Sequence, residues 1–140
     1  MSNVRTKRGT IAILTGGGDV PGLNPAIRAV TVRALREGYR VLGIRRGWAG
    51  LVELPGDGGP ADAECVVELS EEVVNKVGRT GGTFLHTSRT RPSHVPAANV
   101  PDRLRAAYAE EVNDLTPVVL ENVGRLGIDV LIPIGGDDTL

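Results

Sequence analysis

Two acids, Asp137 and Asp138, follow two glycines at the end of an apolar run, in IPIGGDDTL (Ile132–Leu140). A second glycine cluster, Gly16-Gly17-Gly18-Asp19, follows the apolar run TIAILT (Thr10–Thr15). Glycines leave backbone N–H groups bare, and a helix N-terminus just beyond adds the positive end of its dipole, so such loops can cradle phosphate oxygens. They can equally do no more than close tight turns. A carboxylate beside such a loop can hold Mg2+, which binds through one or two carboxylates plus substrate phosphates. It can also be a plain helix N-cap. Arg79, Arg89 and Arg91 crowd one later segment. Their planar forks of donors suit phosphate, with a solvated basic loop as the alternative. Phosphoryl transfer requires a metal to offset charge on the transferring group.

The glycine spacing excludes two common phosphate loops. Pro21 holds the place of the third glycine of G-x-G-x-x-G, and no G-x-x-x-x-G-K-[ST] occurs. A Rossmann dehydrogenase is further excluded because the second strand ends Gly43-Ile44-Arg45, without the acidic residue that holds a ribose. His86 and His94 lack a carboxylate or histidine at useful spacing and read as surface or packing residues. Cys65 has no basic neighbour in sequence and reads as structural.

The elements that must position these residues follow from punctuation and periodicity. Thr10–Thr15 reads as a buried strand. Asn24 as N-cap and Pro25 at N1 predict a helix with Ile27, Val30, Ala34 and Leu35 on one face, stopped by Gly38. Tyr39–Ile44 predicts a second strand, parallel to the first through a right-handed crossover. Residues 47–64, rich in Gly, Pro and Asp, read as loop. Ser70 caps a short helix that ends before Gly78. Gly78–Pro92 is a glycine- and arginine-rich connection around a short TFL stretch, and 93–101 reads as surface loop. A helix is expected from near Pro101, with Leu104, Tyr108 and Val112 on one side. Another runs from an N-cap at Thr116, with Pro117 at N1, to Gly127. Asp129–Ile134 predicts the last strand, with Pro133 near its end. The fold expected is α/β, a mainly parallel sheet with flanking helices in a Rossmann-like three-layer arrangement. Both glycine clusters sit at strand C-terminal ends, where such sheets take ligands.

The totals narrow the class. The 140 residues suffice for one domain with a real core. A net charge of −1 gives no pull toward nucleic acid or an anionic membrane. Aromatics are too sparse for a base-stacking platform. One cysteine rules out an internal disulfide and suits a reducing cytoplasm. No apolar run approaches the roughly 20 residues of a membrane helix. Residues 1–9 read as a basic tail without a signal core, and 10–140 as one α/β domain whose glycine loops suit phosphate.

Four stretches, LTGGGDVPGLNPAIR (Leu14–Arg28), GGTFLHTSR (Gly81–Arg89), LGIDVLIPI (Leu126–Ile134) and GGDDTL (Gly135–Leu140), together resemble the N-terminal part of a phosphofructokinase. A lone GGD would equally suit NAD kinases or diacylglycerol kinases, but those lack the LTGGGDxPGLN opening. Residues 93–113 look longer than in compact bacterial members. The resemblance implies backbone contact to the phosphoryl donor at Gly17 and Gly18, and Mg2+ on Asp137. It implies donor contact and steadying of the transferring phosphate by Arg89, and a donor loop completed by Gly136, Asp138 and Thr139. Asp138 stands where ATP-dependent members usually carry glycine and pyrophosphate-dependent ones aspartate. A carboxylate there would fill the room that a nucleotide's α-phosphate needs and repel it. The activity implied is reversible transfer from pyrophosphate to fructose 6-phosphate. An ATP-dependent enzyme and a non-catalytic phosphate or nucleotide sensor are the alternatives. Arg28 falls where some regulated members place an effector-site arginine, and a solvated helix arginine is the other reading. The family's general base and most of its sugar-phosphate site belong to a later stretch. These 140 residues are therefore expected to be part of a longer protein, a homodimer or homotetramer, and to show no turnover alone.

Overall fold

A computed structural model describes residues 8–18, 21–137 and 139–140. Asp19, Asp138 and the first seven residues of the basic tail lie outside them.

Three apolar runs form adjacent parallel strands, β1 (Thr10–Thr15), β2 (Arg40–Ile44) and β6 (Val130–Ile134). The short β3 (Val66–Glu68) adds antiparallel to β2, giving the order β3-β2-β1-β6. Alternate residues of β1 enter different cores, because a strand sends successive side chains to opposite faces. Ala12 and Leu14 join Leu42, Ile44, Leu51, Val118 and Val119 on one face. Ile13 joins Val41, Ile27, Ala34, Val74 and Leu85 on the other. The sheet is thus covered on both sides, by α1 (Leu23–Arg36) with α4 (Glu71–Val77), and by α2 (Trp48–Glu53) with α5 (Thr116–Arg125). This is the three-layer α/β arrangement expected. Pro133 pairs opposite Leu14 in β6, the outermost strand of the described sheet, where a missing N–H is tolerated.

Several local expectations change. The N-cap of α1 is Gly22, at φ 101°, and Asn24 lies inside the first turn. Its buried amide is used elsewhere. The Asn24 nitrogen donates to Thr80 Oγ1 (3.1 Å), and its oxygen accepts from the Phe84 N–H (2.8 Å). The stretch 47–64 contains α2 and α3 (Pro60–Cys65) rather than loop alone. Burial of Leu51, Val52 and Leu54 outweighs its glycine, proline and aspartate content. The helix expected near Pro101 is a single 3-10 turn, Asp102–Leu104. Val112 instead lies in β5 (Val112–Asn113), paired antiparallel with β4 (Val95–Pro96). Arg103 donates to the carbonyls of Val52 and Leu54, so this excursion is fastened to the end of α2. Thr116 is the first residue of α5, and the Asp114 carboxylate accepts from its N–H at 2.9 Å. Hydrogen bonding from the Thr116 side chain, and then from its backbone N–H, pulls the Asp114 pKa down.

Ser70 caps α4 as expected, its hydroxyl accepting from the Val73 N–H at 3.2 Å. Ser70→Ala is expected to lower stability by about 1 kcal/mol in urea unfolding. No change would mean that the cap bond is replaced by water at no loss.

Candidate functional site at the carboxyl edge of the sheet

After β1 the chain returns by α1 to pair on one side. β6 takes the other side of β1, so the direction of winding reverses between β1 and β6. The loops leaving these two strands flank a crevice at their C-terminal ends, the place where open parallel sheets take ligands.

The two glycine clusters meet there. Gly16 donates its N–H to Ile134 O at 2.9 Å, continuing the ladder one step past the strands. Gly17 has φ 74°, and a Cβ on it would come within 3.3 Å of the Gly136 amide nitrogen. Thr139, only 3% exposed, wedges its side chain between Gly16 and Gly135. Its N–H donates to Gly136 O at 2.9 Å, and its carbonyl accepts from the Trp48 indole at 3.0 Å. Gly18, Gly136 and Asp137 are exposed around this junction.

The connection carrying Arg89 is drawn to the same edge. The buried Thr15 hydroxyl lies 2.9 Å from Thr83 Oγ1 and donates to His86 O at 3.1 Å. Gly47 sits so close to β1 that an added Cβ would meet Thr15 O at 2.9 Å. Asn24 holds the start of the connection and Thr15 its middle, so residues 80–88 are pinned across the top of β1.

Two cavities open from this edge. One, of about 620 Å3, is bordered by Asp137, Thr139, Trp48, Arg91, His94 and an apolar wall that includes Leu131. The other, of about 550 Å3, is bordered by Arg89, Arg91, His94, Glu53 and residues of the 93–113 excursion. Arg91 and His94 border both. Gly17, Gly136 and Thr139 are therefore brought together, with Asp137 beside them, while Arg89 stands in the adjoining cavity. Arg79 separates from the other two arginines and borders another cavity, where α1 meets the end of α4, with Arg28 and Asn75. Arg28 donates to Asn75 Oδ1 at 2.9 Å there. His94 is exposed and within 2.9 Å of Ser93 Oγ, and His86 is exposed at φ 62°. Cys65 is buried, and burial pushes its thiol pKa up, which keeps it a poor nucleophile.

Among the described residues no three His, Cys, Asp or Glu side chains gather as a metal site. Among the described residues, Asp137 offers an exposed carboxylate beside the junction of bare amides. That donor set fits an ion carried on a substrate phosphate rather than one caged by protein. Also among the described residues, no helix is long and apolar enough to cross a membrane. Sequence reasoning gave Trp48 and Ser88 no role, although the Trp48 indole binds Thr139 O and the Ser88 hydroxyl binds Arg46 O, and it read Asn24 as an N-cap rather than as the anchor of the 80–84 turn. Trp48 carried a signal, as the single tryptophan in a chain with few aromatics.

Fold and crevice define the class: a three-layer α/β domain with converging glycine loops at the carboxyl edge of its sheet. A family model, Phosphofructokinase, matches residues 10–140, and the chain belongs to the phosphofructokinase family. It is 42% identical over 130 residues to a pyrophosphate–fructose 6-phosphate 1-phosphotransferase of Dictyoglomus thermophilum, covering 93% of this chain and 30% of that protein. It is 40% identical over 137 residues to ATP-dependent 6-phosphofructokinase 2 of Clostridium perfringens, covering 93% and 32%. Its fold matches Pichia pastoris phosphofructokinase in the T-state, with a TM-score of 0.68 and 30% identity, over 96% of this chain and 12% of that one. The chain thus spans about a third of the length of the two curated relatives. Near-equal identity to pyrophosphate and ATP enzymes leaves the donor to be argued from the site.

Proposed function

We propose that the protein transfers a phosphoryl group from pyrophosphate to fructose 6-phosphate, reversibly, and that these residues form its donor-binding part. The observation that carries this reading is the junction of Gly17 with Gly136, with Asp137 exposed beside it. Bare amides there would hold the donor's phosphate oxygens, and Asp137 would hold Mg2+. When bound, that ion supplies charge neutralisation on the transferring group. Arg89, from the adjoining cavity, would reach the donor with a fork of N–H groups. Pyrophosphate is favoured by Asp138, which follows Asp137 directly in sequence and would set a carboxylate against a third phosphate. Fructose 6-phosphate is supported by the names of relatives of both donor types.

One observation favours ATP instead. The cavity beside Asp137 has an apolar wall and the Trp48 ring, chemistry that accepts a purine base.

The test is fructose 1,6-bisphosphate formation by the full-length protein with Mg2+, fructose 6-phosphate and either pyrophosphate or ATP. Turnover with pyrophosphate and little with ATP is expected, and Asp138→Gly should then raise ATP turnover at least about tenfold, the effect of relieving one repulsive contact. Turnover with ATP alone would sink the donor assignment and keep the rest. Turnover with neither would favour a phosphate or nucleotide sensor.

A further inference from the structure

Beyond β2 the chain reaches Arg46, whose backbone is left-handed at φ 57°. A bulky side chain keeps that conformation only where its surroundings over-determine it, and such residues gather at functional sites. Here the surroundings are specific. The Arg46 N–H donates to Leu85 O at 2.7 Å, and its carbonyl accepts from Ser88 Oγ at 2.6 Å. The same Ser88 oxygen lies 3.2 Å from Thr90 Oγ1 and accepts from the Thr90 N–H at 3.4 Å. One hydroxyl therefore ties both flanks of Arg89 to the Arg46 carbonyl.

The Arg46 guanidinium binds the Glu53 carboxylate of α2, and that bond raises the arginine's pKa. Glu53 borders the same cavity as Arg89. Left without Arg46, its carboxylate would offer Arg89 a partner within the protein and would repel an anionic donor.

We infer that Arg46 is a positioning residue for Arg89: its backbone fixes the Ser88–Thr90 segment, and its guanidinium occupies Glu53 so that Arg89 serves the donor. The inference rests on the reading that Arg89 contacts the donor.

Arg46→Gly in the full-length protein tests it, because glycine keeps the left-handed backbone with its N–H and carbonyl while the side chain, guanidinium included, is removed. KM is measured with magnesium pyrophosphate and with MgATP, using whichever supports turnover, and thermal midpoints are followed in parallel. KM should rise about tenfold in Arg46→Gly, and return to within about twofold when Glu53→Gln is added. Arg46→Lys should stay near the parent value. Mere structural support would move the midpoint without this pattern in KM. An unchanged KM in Arg46→Gly, or no recovery with Glu53→Gln, overturns the inference. Arg89→Ala separates the two levels. If it leaves KM and kcat unaltered, the donor reading fails and the inference with it. If Arg89→Ala is crippled while Arg46→Gly is normal, only the inference falls.

Discussion

Asp137→Asn in the full-length protein is expected to lower kcat about a thousandfold, some 4 kcal/mol of transition-state stabilisation, with the thermal midpoint nearly unchanged. The two halves of that expectation have different causes. Asp137 is exposed at the rim of the crevice. The loop that carries it is held by Thr139 and by the glycine junction. A change of one exposed atom there stays within about 0.5 kcal/mol of the parent's stability. On the proposed reading the chemistry loses far more, because an amide oxygen offers Mg2+ no charge, and the ion would be the main counter-charge to the transferring phosphoryl group. The deficit should therefore shrink as Mg2+ is raised into the tens of millimolar range, since the amide oxygen remains a weak ligand. Full activity in Asp137→Asn would remove the metal role from this residue. A fall in activity matched by a fall in midpoint would show that the carboxylate supports the loop instead.

Much of the fold around this candidate site was legible because its positions are forced by backbone chemistry. The β1, β2 and β6 runs are apolar and bounded by glycine, since the first two strands lie buried between helices and the loops beyond the sheet must turn sharply. Ser70 was legible for the same local reason, a hydroxyl before two glutamates. What could not be read depended on distant partners. Asn24 looks like an N-cap until the 80–84 turn is placed against it, and its amide then serves that turn instead of its own helix. The 47–54 stretch looks like loop until Leu51, Val52 and Leu54 find the core and Asn122 donates to Leu51 O at 2.7 Å. The spacing of Leu104, Tyr108 and Val112 mimics a helix, but hydrogen bonds from Arg103 to α2 and strand pairing at Val112 hold the segment otherwise. Nothing in sequence order places Arg79 in the cavity bordered by Arg28 and Asn75, apart from the cavity of Arg89 and Arg91.

The glycine junction itself makes the other large prediction, and it separates two glycines that look alike in sequence. Neither Gly16 nor Gly135 has a positive φ, so alanine is refused at either only by its neighbours. At Gly16 an added Cβ would stand 2.0 Å from Thr139 Oγ1 and 3.1 Å from both Cβ and Cγ2 of that residue. At Gly135 it would stand 2.4 Å from the same oxygen, 2.8 Å from Thr139 Cβ, and 2.7 Å from the Gly16 carbonyl oxygen. Threonine is β-branched and buried, so it cannot swing clear. Each single alanine should therefore destabilise by roughly 3 kcal/mol, the upper range for overpacking a tight site. Adding Thr139→Ala removes Oγ1 and Cγ2. That leaves Gly16→Ala with one tight contact at 3.1 Å, while Gly135→Ala still meets the Gly16 carbonyl oxygen at 2.7 Å and the Cβ of residue 139 at 2.8 Å. The expected result is that Thr139→Ala restores most of the lost thermal midpoint in Gly16→Ala and little of it in Gly135→Ala. Stability is the proper readout, because Thr139 belongs to the proposed donor loop and its own change would confuse a rate. Equal rescue of both would mean that the Gly16 carbonyl yields, and that the loops after β1 and β6 are not locked backbone to backbone. Rescue of neither would mean that the Thr139 side chain is not what fills the gap between them.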